Sequence, residues 1–247
     1  MKAVPFFLIF GMLSPLAMAE PDVPMIYLNR HSFTPGQTIK IQIPMRGKEP
    51  PTLTWENKVF TFLQTPDHFW RVLVPVPKGK SQGRETLYIN VNNPMPVDLI
   101  EGPLDIKILA SEAGNGDVLF TDEKTKSSSN PKEEEESTLI REMIKASVSD
   151  PEQRWEGLFL SPDKTTESVL APNSGLILLV KEFNIHGKTI LISHGQGVAS
   201  LYTHLTRMEV KEGDKIKKGQ KIGEGGHWEF FVQGESVDPL QWFEEQF

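Results

Sequence analysis

Residues 189–205 have the sequence TILISHGQGVASLYTHL, and this stretch decides the fold of the C-terminal half. Two apolar, β-rich runs, Thr189–Ile192 and Val198–Leu205, flank the segment Gly195-Gln196-Gly197. Such runs on either side of a glycine-containing turn predict two β-strands. A further β-rich run lies at Gly175–Val180, so we expect the C-terminal domain to be built from strands.

The N-terminal half has the same strand texture. Polar and apolar residues alternate at Thr38–Ile43, and Phe69–Val74 and Thr86–Val91 repeat this texture. Several strands at close spacing, without helical periodicity, predict an antiparallel β-sandwich over residues 20–120. This region resembles an immunoglobulin-like module. The predicted fold class is therefore all-β, with a second β-sandwich over residues 155–247.

The segment between these domains, residues 121–154, has a different composition. Linker-type residues at 124–131 precede the acidic run Glu133–Glu136. The apolar residues that follow have the spacing of one face of a short helix: Leu139, Ile140, Met143 and Ile144. Glutamates at the start of a helix suit its dipole. We predict an acidic linker with a solvated helix packed across it; a helix that docks to a partner is the alternative.

The first 19 residues have the pattern of a secretory signal peptide. Lys2 precedes the apolar run Phe6–Leu13, and Ala17-Met18-Ala19 is an A-x-A cleavage site before Glu20. The run is too short to span a membrane. We therefore predict a protein exported to the periplasm or cell envelope of a bacterium, without a membrane span after signal cleavage.

Charge and cysteine content exclude several classes of protein. The chain has 33 acidic and 26 basic residues, a net charge of −7, and no Lys/Arg cluster that could form the basic face of a nucleic-acid binder. It contains no cysteine, so disulfides, thiolate nucleophiles and Cys-based zinc sites are excluded. The domains must be held together by their hydrophobic cores.

Histidines are concentrated in the C-terminal domain, at positions 186, 194, 204 and 227. Imidazole is the commonest metal ligand and acts as a general base near neutral pH, which raises the question of a metallohydrolase. However, the sequence has neither the H-E-x-x-H motif of zincins nor the G-x-S-x-G motif of serine hydrolases.

An ordered set of motifs between Trp155 and Phe247 resembles the lysostaphin-like (LytM) zinc metallopeptidases, whose fold is a β-sandwich with a duplicated hybrid motif. The motifs are His194-Gly195-Gln196-Gly197, Leu201-Tyr202-Thr203-His204-Leu205, the glycine-punctuated run Gly213 to Gly223, His227-Trp228-Glu229-Phe230 and Val237-Asp238-Pro239. The resemblance implies an enzyme that cuts peptide cross-links of peptidoglycan. The immunoglobulin-like region resembles the module that precedes this domain in some members.

The departures from the family pattern concern the zinc site. Active members bind zinc through an H-x-x-x-D motif and the second His of an H-x-H motif. The first motif would lie between Glu156 and Glu167, where Asp163 is the only aspartate and no histidine occurs, so we interpret this segment as deleted. Alignment on Val237-Asp238-Pro239 matches His227 to the one retained ligand and Gly225 to a catalytic histidine.

The resemblance therefore implies a degenerate family member. Of the catalytic positions only His204 is retained, and a catalytic zinc needs three protein ligands, so we predict no bound metal or other cofactor and no catalytic residue. The predicted function is regulation or activation of a peptidoglycan hydrolase, with that hydrolase or peptidoglycan as partner. The residues expected to line its binding groove are His194, Tyr202, His204, His227, Trp228 and Glu229.

Two other functions stay open. In the first, His186 and His194 complete a rewired zinc site, and the chain is an active metalloendopeptidase that cleaves peptidoglycan cross-links. In the second, the chain is a structural assembly module of the envelope. The region from Ala171 to Gln220 also resembles lipoyl and biotinyl carrier domains, but the turns around Lys188 and Lys217-Lys218 lack the context of a modified lysine.

Overall fold

Strands dominate both halves of the chain. The computed structural model describes residues 26–44, 48–90, 102–110, 131–162 and 166–247. The predicted signal peptide and the linker residues before Pro131 lie outside the described residues. In the described part of the chain, two sheets are formed by strands that precede the one long helix and two by strands that follow it. This confirms the all-β prediction.

The N-terminal module consists of two sheets around one core. Its strands are β1 (Tyr27–Leu28), β2 (Ser32–Phe33), β3 (Thr38–Pro44), β4 (Thr52–Trp55), β5 (Lys58–Thr61), β6 (Leu63–Gln64), β7 (Phe69–Pro75), β8 (Gly83–Asn90) and β9 (Gly102–Ile108). One sheet has the order β1-β3-β7-β6 and the other β2-β9-β8-β4-β5. Alternating side chains of both sheets meet in the core, among them Ile41, Leu53, Trp70 and Ile89.

The helix α1 (Pro131–Val148) follows and extends further in both directions than the apolar spacing at 139–144 predicted. Ile140 and Ile144 are buried, and Leu139 and Met143 are partly buried. They pack on the C-terminal domain, because an amphipathic helix of this length gains most of its stability by burying its apolar face.

The C-terminal domain has a large and a small sheet. Its elements are β10 (Ser168–Leu170), β11 (Gly175–Glu182), β12 (Lys188–Gly195), β13 (Val198–Leu205), β14 (Arg207–Met208), β15 (Lys215–Ile216), β16 (Lys221–Glu224), β17 (His227–Val232), β18 (Glu235–Val237) and α2 (Leu240–Glu244). The large sheet has the order β15-β11-β12-β13-β17-β18 and the small sheet β10-β16-β14. The two predicted strands of residues 189–205 pair antiparallel as the β12–β13 hairpin.

The two faces of the large sheet have different coverings. Ile190, Ile192 and Tyr202 point toward the small sheet and pack with Ile222. We call this side the inner face. Leu191 and Leu201 point the other way, toward α1, and we call that side the outer face.

The two domains share a core at their junction. Leu73 of β7 packs among aromatic residues of the C-terminal domain, including Trp155, Phe159, Phe230 and Trp242. Thr38 on β3 donates its N–H to Gln241 Oε1 (2.7 Å) and accepts from Gln241 Nε2 (3.0 Å), and Trp242 Nε1 donates to Thr38 Oγ1 (3.2 Å). These contacts attach α2 to the N-terminal sandwich.

A buried arginine completes the junction. Arg71 lies over the ring of Trp155 at 4.6 Å from its centroid. It donates to Gln153 Oε1 (2.7 Å) and to Gln196 Oε1. Burial lowers the pKa of Arg71 to about 10, so the guanidinium stays charged at neutral pH. Among the described residues, no helix is long and apolar enough to cross a membrane.

We predict that Trp242→Ala destabilises the protein by about 3–5 kcal/mol, because the indole lies between four aromatic rings and bonds to Thr38 across the junction. Urea unfolding followed by tryptophan fluorescence and circular dichroism measures the loss. Leu240→Ala on the same helix is the control; Leu240 is 39% exposed, and its loss should be under about 1 kcal/mol. Equal losses for the two variants would contradict this account of the junction.

Candidate functional site

The pairing of β13 with β17 determines which predicted site residues share a surface. Thr203 lies opposite His227, Leu201 opposite Glu229 and Ala199 opposite Phe231. Side chains alternate between the faces of a sheet, and cross-strand partners lie on the same face. His227 and Glu229 therefore lie on the outer face, whereas Trp228 lies on the inner face.

His204 joins His227 through a local change of backbone conformation. His204 has φ 53°, in the left-handed region, and its ring lies edge-to-face with that of His227 at a centroid distance of 5.9 Å. Its N–H donates to the carbonyl of His186 at 2.9 Å. Partial burial, and then the neighbouring His227 and His186, lower the pKa of His204. The two residues matched to family positions thus form one exposed pair.

His194 is part of the interior. Its ring is fully buried, with Nδ1 at 2.8 Å from the Ser174 carbonyl and Nε2 at 2.9 Å from Ser200 Oγ. A carbonyl only accepts hydrogen bonds, so Nδ1 carries the proton and Nε2 accepts from Ser200. Phe159 packs edge-to-face on the ring at 5.1 Å. Burial lowers the pKa of His194 to about 4, which keeps it neutral.

Tyr202 and Trp228 form an aromatic pair on the inner face, with ring centroids 6.3 Å apart and nearly parallel planes. Burial raises the pKa of Tyr202 above its usual range, so the phenol stays protonated. The pair borders a cavity of about 550 Å³, which His227 also lines. Its apolar lining includes Leu160, Leu170, Leu240 and Phe243.

The structure thus divides the six predicted groove residues. His204, His227 and Glu229 lie at the outer face, while His194, Tyr202 and Trp228 lie at the inner face. Three of them, Tyr202, His227 and Trp228, meet again at the rim of the cavity.

The family resemblance implies a catalytic zinc ion. A catalytic zinc requires three protein ligands and an open position. Within the described ranges, no three His, Asp or Glu side chains are arranged to hold a metal ion. Gly225, at the position of a family catalytic histidine, donates its N–H to the Glu167 carbonyl at 2.7 Å and closes the shortened loop. These residues do not fit a three-ligand zinc centre.

Sequence reasoning missed a carboxylate site at the tip of the β11–β12 hairpin. Glu136 of α1 accepts backbone N–H groups from Asn184 (2.7 Å), Ile185 (2.9 Å) and His186 (3.2 Å), and lies 3.2 Å from His186 Nδ1. Although burial alone would raise it, these hydrogen bonds hold the pKa of Glu136 at about 2. The available signal was the spacing of Glu136, four residues before Ile140.

We predict that acid selectively weakens the fold through His194. The unfolded chain takes up this proton near pH 6.5, whereas the folded chain does so only near pH 4, so the stability contribution is present above pH 6.5 and is lost as the pH falls toward 4. At about 1.4 kcal/mol per pH unit, the loss is about 3 kcal/mol.

The test compares the wild type with His194→Gln, which cannot titrate in this range. At pH 7 the variant should be the less stable protein, and the difference in unfolding free energy should narrow by about 3 kcal/mol between pH 7 and pH 4. A difference that stays constant with pH would refute the prediction.

Comparisons with known proteins identify the C-terminal domain. The profile of peptidase family M23 matches residues 153–239. Lipoprotein NlpD of Yersinia enterocolitica is 33% identical over 70 residues, covering 25% of this chain and 72% of that protein. The murein hydrolase activator EnvC of Escherichia coli is 30% identical over 101 residues, covering 37% of this chain and 24% of that protein. The peptidoglycan DD-endopeptidase ShyA of Vibrio cholerae is 28% identical over 83 residues, covering 30% of this chain and 19% of that protein.

The similarity has defined limits. The chain spans only 16% to 29% of the length of the first curated relatives that it matches. An M23 peptidase structure from Pseudomonas aeruginosa has a TM-score of 0.55 at 19% identity, covering 89% of this chain and 97% of that one, and supports the fold across both domains. Through residues 153–239, the chain belongs to peptidase family M23.

Proposed function

We propose that this chain is an exported, non-catalytic M23 protein that acts in peptidoglycan remodelling by regulating or activating a cell-wall hydrolase. One observation carries the proposal. The family's sheet and its His204–His227 surface are retained, while the described residues lack the three-ligand set of a catalytic zinc. A surface that is retained although the zinc ligands are lost supports a role in binding rather than in cleavage.

The names of the relatives support a role as regulator or activator of a cell-wall hydrolase. One of them, EnvC of Escherichia coli, is named as a murein hydrolase activator and is similar to this chain over 101 residues. The predicted N-terminal signal peptide, and the similarity to a protein named as a lipoprotein, support export to the periplasm or cell envelope. The proposed partner is a cell-wall hydrolase or peptidoglycan itself.

The second candidate function is an active zinc metalloendopeptidase with a rewired site. The observation that favours it is the contact between the rings of His204 and His227; His186 joins this pair through its backbone carbonyl, which accepts the His204 N–H. His194, the other residue considered for such a site, lies buried among Ser174, Ser200 and Phe159. The two functions predict different zinc contents of the purified protein and different abilities to hydrolyse peptidoglycan.

We predict a zinc stoichiometry near zero for the purified mature chain after equilibration with zinc, because only His227 matches a family ligand. Elemental mass spectrometry measures it. The chain alone should release no fragments from purified peptidoglycan. A stoichiometry near one, together with cleavage lost in His204→Ala/His227→Ala, would establish the metalloendopeptidase instead.

We predict that the chain increases the rate of a cell-wall amidase about tenfold or more. This increase corresponds to an activation free energy lowered by about 1.4 kcal/mol. Release of dye from labelled peptidoglycan measures the rate with and without the chain. The variant His204→Ala/His227→Ala should lose most of the stimulation, because the proposal places these two side chains on the binding surface. Full stimulation by this variant, or no stimulation of any envelope amidase tested, would count against the proposal.

A further inference from the structure

A cavity of about 550 Å³ lies beside the Tyr202–Trp228 pair on the inner face of the large sheet. We call it the inner cavity. Side chains of β10, β13, β17 and α2 line it, together with residues 160–162 and 166–167. Pockets of roughly 300–1,000 Å³ are typical of small-molecule sites, so the inner cavity is large enough to hold a ligand.

The wall formed by residues 160–162 is held in place by backbone hydrogen bonds. The N–H of Leu160 donates to the carbonyl of Pro172 at 2.8 Å, and the N–H of the preceding Phe159 donates to the carbonyl of Trp242 at 3.0 Å. Phe159 and Trp242 are themselves buried in the aromatic core of the junction. Because these bonds attach the wall to the domain, a ligand that enters the inner cavity does not have to order it first.

The chemistry of the lining favours an apolar ligand. No Lys or Arg is among the described residues that line the inner cavity; their one carboxylate is that of Glu167 and their one imidazole that of His227. A site for a phosphate would need cationic donors. Three leucines of the lining are exposed: Leu160, Leu170 and Leu240. An apolar cavity holds water poorly and binds apolar molecules instead.

The aromatic rings of the lining favour an aliphatic ligand over a ring. The Trp228 indole lies nearly parallel to the Tyr202 ring at 6.3 Å, and it also contacts Phe243 at 5.8 Å and Phe230 at 6.3 Å. A planar ring or a sugar needs an open aromatic face on which to stack, and these neighbours compete for that position. An aliphatic chain needs only apolar surface, because the hydrophobic effect is non-directional.

We infer that the inner cavity binds an unbranched aliphatic chain, of the kind that a fatty acid or a lipid carries. The polar head of such a ligand stays in water at the mouth, where Leu160, Leu170 and Leu240 are exposed. The predicted export would bring the protein to the cell envelope, where acyl chains are abundant. The inference goes beyond the proposed function and requires neither zinc nor a hydrolase partner.

The first experiment measures binding of octanoate, decanoate and dodecanoate to the mature chain by titration calorimetry. Each CH₂ group that is buried contributes about 0.8 kcal/mol, so we expect the affinity to rise about fourfold per added CH₂. Binding should also have a negative heat-capacity change, which marks the burial of apolar surface. No binding of dodecanoate by the folded chain, or an affinity that does not rise with chain length, would overturn the inference.

A matched pair of variants tests the position of the site. Leu160→Asn places an uncharged polar group in the lining and should weaken dodecanoate binding about tenfold. Leu158→Asn is the control: Leu158 lies two residues earlier, is 40% exposed compared with 37% for Leu160, and is not among the described residues that line the inner cavity. It should bind with wild-type affinity. Equal affinities of the two variants would overturn the inference.

A second pair repeats the test on β10, and it decides the question if Leu160→Asn does not fold by near-UV circular dichroism. Leu170→Asn should weaken binding, whereas Ile185→Asn, at a similarly exposed position on the β11–β12 hairpin, should not. Methyl NMR then locates the ligand. Dodecanoate should shift the signals of Leu170 and Leu240; shifts confined to methyl groups outside the lining would contradict the assignment.

Competing ligands are tested by displacement of dodecanoate. We expect N-acetylglucosamine and D-alanyl-D-alanine to displace none of it; displacement by either would overturn the inference and assign the inner cavity to a sugar or a peptide. The lysophospholipid 1-dodecanoyl lysophosphatidylethanolamine distinguishes the sources of the chain. Displacement by it supports an acyl chain of a membrane lipid as the ligand, whereas binding of dodecanoate without such displacement supports a free fatty acid.

Discussion

Antiparallel pairing of β13 with β17 in one register determines the surfaces of this protein. Because Ala199 lies opposite Phe231 and Thr203 opposite His227, every second side chain of both strands is assigned to the same face. A slip by one residue would move the histidine to the interior and an aromatic ring to solvent. The core of the junction and the exposed histidine pair both depend on this register.

The inner face unites the two domains. Phe230 packs with Phe159 and Trp242, and this aromatic group extends to Leu73 of the N-terminal sandwich. His194 belongs to the same layer, where two hydrogen bonds satisfy its ring and burial keeps it neutral. Polar groups in such an interior are costly unless they are bonded, so this histidine is better explained by structure than by chemistry.

The outer face is divided between an apolar part under α1 and a polar part at His204 and His227. The chain after the helix reaches the β12–β13 turn closely, and a Cβ atom at Gly195 would lie 1.5 Å from the Glu152 carbonyl oxygen. Gly195 also has φ 85°, a conformation that favours glycine. This one position therefore fixes where the chain crosses from the helix to the domain that the helix covers.

Local patterns in the sequence determined the strands, the glycine turn between β12 and β13 and the existence of a helix around Leu139–Ile144, because periodicity and glycine turns act over a few residues. The ordered motifs likewise identified the family of the C-terminal domain. Tertiary structure alone decided that His194 and Tyr202 face away from His227, because strand register and the left-handed backbone at His204 depend on partners distant in sequence. It also decided that Glu136 binds a hairpin about 50 residues later, because the spacing of Glu136 before Ile140 places it on the apolar face of the helix but does not identify the backbone N–H groups that it meets.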